Sequence, residues 1–294
     1  MTMPPTSPLE GIPDEPQDVV LSLDEPSRWR RMPKKVWVGA AIVMVYVLIA
    51  LFAPLLAPYD PLVIDPVNKL ASPGADHLLG TDELGRDVFS RILYAARVDI
   101  PIGFLGALLP AVLGTLLGAL AGYFGRWTDT VIMRTADVVQ AFPAYILVIV
   151  LVFALGQGAR SIIIAFTVLA WVIYARIIRS EVLRVKDLDY VHAARVAGLR
   201  RSRILRVHVF PNVISQTIVY LPSDIVFATL ALASFSFLGL GIPPPTPEWG
   251  AMIADGQAYI RTNWWLATVP GLVIVGLGLG LSLVGEGLEE GLRA

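Results

Sequence analysis

Six apolar segments restrict the folds that are open to this 294-residue chain. They cover residues 36–56, 100–123, 131–155, 162–178, 213–240 and 266–283. Each is long enough to cross the roughly 30 Å hydrocarbon core of a bilayer as an α-helix. Hydrophobic residues make up 55% of the chain and charged residues only 16%, so lipid is the expected solvent. The sequence therefore predicts an all-α integral membrane protein with six transmembrane helices.

The chain divides into a polar N-terminal segment and a membrane domain. Residues 1–35 are predicted to be a disordered acidic tail that ends in a basic, membrane-proximal cluster, because such a composition cannot bury enough apolar surface to fold. Residues 36–294 form the predicted transmembrane domain. Within it we expect a first helix at 36–56, a non-spanning segment at 57–99, a five-helix core at 100–288 and a loop at 187–211. The acidic tail before the first apolar run argues against a signal peptide.

The distribution of basic residues predicts the orientation of the six segments. With both termini in the cytoplasm, 17 of the 23 lysines and arginines fall on the cytoplasmic side. Cytoplasmic loops of membrane proteins carry such an excess. We therefore expect cytoplasmic termini, with residues 57–99 and 241–265 outside.

The loop at 187–211 has the pattern of a compact helix–turn–helix. Ala193 and Ala194 provide a small face, and Gly198 permits a sharp turn with positive φ. Pro211 is expected to begin the next spanning helix, where its missing N–H costs little. The loop either presents a shallow knob to a cytosolic partner or lies as a basic amphipathic segment on lipid headgroups. Composition alone does not decide between these two interpretations.

This loop resembles the coupling loop of bacterial binding-protein-dependent ABC importers. The family pattern is matched at Ala193, Ala194, Gly198 and Pro211, whereas His192 stands where the family has glutamate. The resemblance implies a coupling helix that docks on a cytosolic ATPase. The candidate ATPase-coupling residues are His192, Ala193, Ala194, Gly198, Arg201 and Pro211.

Two further stretches, residues 77–88 and residues 237–250, resemble oligopeptide and dipeptide permeases, specifically the second, shorter permease of the pair. The resemblance implies the type I ABC importer permease fold in a bacterial inner membrane. It also implies a homologous second permease subunit, two cytosolic ATPases that bind ATP and magnesium, and an external substrate-binding protein. The expected solutes are di- or oligopeptides, with nickel, glutathione or oligosaccharides as alternatives.

Several other functions lack their sequence signals. The chain has no cysteine, no phosphate-binding loop of the Walker type and no pair of its three histidines at metal-ligand spacing. No catalytic residue, metal site or cofactor of this chain's own is therefore predicted, and the net charge of −1 gives no basis for nucleic-acid binding. An ion-coupled secondary transporter and a membrane-embedded enzyme are the less favoured alternatives, since neither accounts for the coupling loop.

Four polar residues in apolar segments are candidate pathway residues: Arg134, Asp137, Gln140 and Asp224. Arg134 and Asp137 can pair with each other at i,i+3. Asp224 has no local partner in sequence, and either lines the pathway or pairs with another subunit.

Two other groups of residues carry structural expectations. Gly114, Gly118 and Gly122 form a small-xxx-small repeat that predicts close helix packing. The acidic residues Asp82, Glu83 and Asp87 are expected to be solvated loop charges, with a cation site as the less favoured reading.

Overall fold

A computed structural model describes residues 33–293, which fold into a bundle of α-helices. The predicted acidic tail lies outside the described residues. Within them, β structure is confined to one isolated bridge between Thr81 and Asp87. The helices are α1 (Lys34–Leu56), α2 (Val88–Phe124), α3 (Arg126–Gln140), α4 (Ala144–Leu155), α5 (Ala159–Val185), α6 (Asp189–Val196), α7 (Arg201–Ile204), α8 (Phe210–Phe237), α9 (Trp249–Gln257) and α10 (Trp265–Arg293).

Five of the six predicted spans are continuous helices that are long and apolar enough to cross a membrane. The sixth, predicted over 131–155, is instead two helices, α3 and α4, which meet at an angle of 90°. The break has a local cause, because the ring of Pro143 disfavours helical backbone at the preceding Phe142. With 12 residues, α4 is only about 18 Å long, so α3 and α4 make a sixth crossing only as one broken span.

Helix α2 begins much earlier than its apolar segment predicts. It starts at Val88 rather than at residue 100, and its 37 residues give a length of about 55 Å. The Asp87 side chain caps it, with Oδ2 accepting a hydrogen bond of 2.7 Å from the backbone N–H of Ser90. The first three turns of α2 therefore extend beyond a 30 Å core into the segment predicted as a loop.

The two ends of the bundle differ in structure. We call one the cap end, where residues 57–87 contact residues 238–264, for example through a 3.2 Å hydrogen bond from Asn263 Nδ2 to the carbonyl of Leu70. We call the other the basic end, which holds α6 and α7. Helix α1 starts beside the last turns of α10, where Lys35 Nζ lies 2.7 Å from Glu290 Oε1. The chain thus enters and leaves the described bundle at the same end.

The largest interface between two helices joins α2 and α5, and glycines make it possible. A Cβ placed on Gly114 would overlap the carbonyl oxygen of Trp171, and one on Gly118 would lie 2.9 Å from the Cα of Ala175. The same Cβ on Gly122 would lie 2.9 Å from the carbonyl oxygen of Arg179. The expected close packing of this glycine repeat is therefore present.

This contact predicts a different effect for the same substitution at two helical glycines. Gly118→Ala gains about 1 kcal/mol of helix propensity but must push α5 away, and overpacking costs about 1–3 kcal/mol. Gly271 in α10 has nothing within 4 Å of an added Cβ, so Gly271→Ala keeps the propensity gain without the clash. We expect Gly118→Ala to lower the apparent unfolding temperature in detergent by several degrees and Gly271→Ala to leave it unchanged or higher. Equal unfolding temperatures would show that backbone contact between α2 and α5 is not required.

Candidate functional site

The turn between α6 and α7 is built by a glycine with positive φ. Helix α6 ends in a Schellman-type arrangement, in which Leu199 N–H donates to the carbonyl of Ala194 over 3.2 Å and Gly198 N–H donates to that of Arg195 over 3.1 Å. Gly198 has φ of +77°, and nothing lies within 4 Å of a Cβ built on it. The position therefore favours glycine for its backbone conformation and not for lack of space.

A buried cluster fastens this turn to the bundle. Ala194 and Val191 of α6 and Ile204 of α7 pack with Val182 at the end of α5 and Val213 near the start of α8. Ala194 is therefore buried against its own chain and does not belong to a free docking face. The prediction that both alanines form the knob surface is wrong for Ala194, because its contacts come from helices distant in sequence.

The surface that α6 leaves free is formed by other residues. His192, Ala193, Gly198 and Arg201 are exposed. Val196 is 90% exposed, an extreme value for an apolar side chain at the tip of a structured turn. Sequence reasoning missed Val196, although an apolar residue three positions after Ala193, on the same face of a short polar helix, was a usable signal.

Pro211 is the second residue of α8 and thus lies in the first turn of that helix, as predicted. A π-helical turn over Leu205–Val209 joins α7 directly to α8, so the helical backbone continues across this start. Single π-helical turns inside α-helices are rare and occur often at functional sites. The backbone is thereby rearranged just before the proline, which has no N–H to contribute to the helix. Pro211 itself is exposed.

The polar residues of α3 lie on an exposed face. Arg134 and Asp137 form the predicted pair, with 3.6 Å between Nη1 and Oδ2. Asp137 also accepts a hydrogen bond of 2.9 Å from Nη2 of Arg176 in α5. Gln140 is exposed in the last turn of α3. These contacts tie α3 to α5 at the surface, and the structure does not bring any of the three residues to Asp224.

Asp224 occupies a groove between four helices. The groove has a volume of about 210 Å³ and is lined by residues of α2, α4, α5 and α8, of which Asp224 is the one ionisable acid or base besides the phenol of Tyr145. Its position is near the middle of α8. The hydroxyl of Tyr174, a side chain 1% exposed, lies beside the carboxyl group but outside hydrogen-bond geometry.

Two of the acidic residues of the cap end, Asp82 and Asp87, are buried and paired. Asp82 Oδ1 accepts hydrogen bonds from the backbone N–H groups of Leu84 and Arg86, and its Oδ2 lies 2.7 Å from Arg86 Nε. Asp87 Oδ1 contacts His77 Nδ1 at 2.9 Å. The expectation of solvated charges is therefore wrong for Asp82 and Asp87. Among residues 33–293, no group of three acidic, histidine or cysteine side chains is placed to hold a metal ion.

A second buried network at this end connects α2 to α9. Glu248 is fully buried and caps α9 by accepting hydrogen bonds from the N–H groups of Gly250 and Ala251, at 2.9 and 2.7 Å. The N–H of Trp249 donates to Oδ2 of Asp99 over 3.2 Å. Nearby, burial raises the pKa of Asp255 above its ordinary value, while Arg91 and Arg86 oppose the shift. The cap end is thus held together by hydrogen bonds between buried carboxylates and backbone N–H groups.

Two family models match this chain. The model described as the binding-protein-dependent transport system inner membrane component covers residues 114–294, a stretch that includes Asp224 and the α6–α7 turn. The model described as the N-terminal TM domain of oligopeptide transport permease C covers residues 29–73. The resemblance recognised in the sequence is therefore confirmed.

Relatives of similar length support the same assignment. The chain is 36% identical over 292 residues to the dipeptide transport system permease protein DppC of Alkalihalophilus pseudofirmus, covering 99% of this chain and 95% of the relative. It is 37% identical over 262 residues to the oligopeptide transport system permease protein OppC of Bacillus subtilis, covering 89% and 86%. A di/tripeptide permease DppC of Pseudomonas aeruginosa is 38% identical over 260 residues, with 86% of each chain covered.

The fold also matches a solved structure. The MetNI methionine ABC transporter in an inward-facing conformation superposes with a TM-score of 0.55 at 16% identity, over 67% of this chain and 93% of that chain. At such low identity the likeness concerns the fold, which confirms the predicted ABC importer permease architecture. The chain therefore belongs to the family of binding-protein-dependent transport system inner membrane components and is a transmembrane permease subunit of an ABC importer.

Proposed function

We propose that this permease carries di- or oligopeptides, or solutes of similar size and chemistry, into the bacterial cytoplasm. The peptide class is supported by the names of the relatives, which are dipeptide, di/tripeptide and oligopeptide permeases. The direction is supported by membership of a binding-protein-dependent family, because an external binding protein delivers solute for uptake. The binding protein is the first expected partner.

The remaining partners follow from what this chain lacks. No phosphate-binding loop occurs in the sequence, so energy has to come from separate subunits. We infer two cytosolic ATPases, which bind ATP and magnesium, and a homologous second permease that completes the pathway. The assembled complex, rather than this chain, would hydrolyse ATP.

The single observation that carries the coupling mechanism is the anchored α6–α7 turn. Its exposed face, His192, Ala193 and Val196, is small and partly apolar, as a docking surface requires. Its buried face joins the ends of α5 and α8 through the cluster around Ala194 and Ile204. A turn held in this way transmits the movement of a bound ATPase to two spanning helices as a rigid body.

This function predicts peptide-dependent ATP hydrolysis by the assembled complex. With both permeases, both ATPases and the binding protein in nanodiscs, a dipeptide should stimulate hydrolysis and be taken up in reconstituted vesicles. Val196→Glu should abolish the stimulation, because it places a charge in the docking interface while leaving the buried cluster intact. Val196→Ala is the matched control and should retain most of the activity. Uptake driven by a proton gradient without ATP would overturn the proposal.

A second prediction concerns Gly198. A β-branched residue at φ of +77° is strained by about 1–3 kcal/mol, equivalent to a roughly five- to 150-fold shift between two conformations. Asparagine tolerates this region, so Gly198→Asn should behave nearly as wild type, while Gly198→Val should lose stimulated hydrolysis. Because added atoms meet open space in both variants, the comparison isolates backbone conformation. Equal activity of the two variants would remove the turn geometry from the mechanism.

The proposed orientation places the basic end in the cytoplasm and the cap end outside, as the distribution of lysine and arginine predicts. The chain has no cysteine, so single substitutions report cleanly. Ser72→Cys and Thr246→Cys, both at exposed positions of the cap end, should react with an impermeant maleimide added to intact cells. Ser202→Cys, exposed at the basic end, should react only after permeabilisation. The reverse pattern would invert the orientation.

A further inference from the structure

The groove around Asp224 holds an acidic side chain where a bilayer protein rarely keeps one. Asp224 is half-buried near the middle of α8, and the lining contributed by the surrounding helices is almost entirely apolar. A carboxylate at this depth is costly unless it faces a cation, a polar partner or a water-filled space. No lysine, arginine or histidine is among the described residues that line the groove, and the hydroxyl of Tyr174 lies beside the carboxyl group.

Tyr174 makes the arrangement more specific. Its side chain on α5 is buried and packs against Gly114 of α2, and its hydroxyl has no hydrogen-bond partner among the described residues. Buried hydroxyl groups are nearly always satisfied, and the carboxyl group of Asp224 is the acceptor that lies beside this one. A small movement would let the hydroxyl donate to the carboxylate and hold it in place.

The shape of the groove indicates half of a binding site. Its volume of about 210 Å³ is below the roughly 300–1,000 Å³ of complete ligand pockets. Phe227 and Tyr145 at its rim are 69% and 55% exposed, so the groove is open on one side of this chain. A second permease facing this opening would close the site and shield the charge from lipid.

We propose that Asp224 binds the α-ammonium group of the transported peptide, as a subsite on the translocation pathway. This inference rests on the proposed peptide function. The negative charge selects a cationic end and disfavours the peptide carboxylate, while the open rings of Tyr145 and Phe227 can add cation–π attraction. The apolar walls form no hydrogen bonds to peptide side chains. The subsite would therefore recognise the α-ammonium group that all free peptides share and would not select among their side chains.

The test combines a charge change on the protein with a charge change on the ligand. The complex of both permeases and both ATPases, without the binding protein, is held in nanodiscs, and binding of labelled Ala-Ala and N-acetyl-Ala-Ala is measured. Wild type should bind Ala-Ala at least about tenfold more tightly than the acetylated form. Asp224→Asn should lose this difference, binding both ligands weakly, and Asp224→Glu should restore much of it. Glu286→Gln, which removes a carboxylate paired with Lys35 outside the groove, should change nothing.

Each other outcome overturns the inference. Equal weakening of both ligands by Asp224→Asn would assign the residue to packing. Loss of the second permease from the purified Asp224→Asn complex would assign it to an ion pair between subunits. Equal binding of both ligands by wild type would exclude recognition of the ammonium group. If the wild-type complex binds no peptide and, with the binding protein added, its ATP hydrolysis does not respond to peptide, the proposed function fails as well, which separates that failure from the other three.

Discussion

The contact between the backbones of α2 and α5 fixes the positions of most other elements. Gly114, Gly118 and Gly122 meet the residues Trp171, Ala175 and Arg179, so each step of four on α2 matches a step of four on α5. The two helices therefore run in the same direction with one face of each in register. In lipid no hydrophobic effect drives helices together, and van der Waals contact at such close approach supplies the attraction.

This contact also determines where the α6–α7 turn lies. The carbonyl oxygen of Gly122, the last glycine of α2, accepts a hydrogen bond of 3.3 Å from Nζ of Lys186, the residue that follows the end of α5. Val182 of α5 contacts Gly122 and belongs to the buried cluster that also contains Val191 and Ala194 of α6. The α6–α7 turn is therefore positioned by main-chain packing and the buried cluster, and its outer side chains take no part in holding it in place.

Sequence patterns predicted the features that depend on local properties and missed those that depend on distant contacts. The apolar segments and the glycine repeat could be predicted, because hydropathy and residue size are properties of the residues in one segment alone. The early start of α2 was missed because Arg91, Arg97 and Asp99 interrupt its apolar pattern. Arg91 and Asp99 are buried in the structure, and Asp99 accepts a hydrogen bond from the backbone of Trp249. The burial of Ala194 could not be predicted, since its neighbours come from other elements.

Helix α2 connects the cap end, the groove and the basic end, and its stiffness is uneven. Its first turns are fixed in the cap by Asp87 and Asp99, and its last turns are fixed by glycine contacts with α5. Between them lie Pro101 and Pro110, each of which removes one main-chain hydrogen bond of the helix. Pro110 lines the groove that contains Asp224. Bending of α2 is therefore easiest beside the groove, so a movement of the basic end changes the groove before it disturbs the cap.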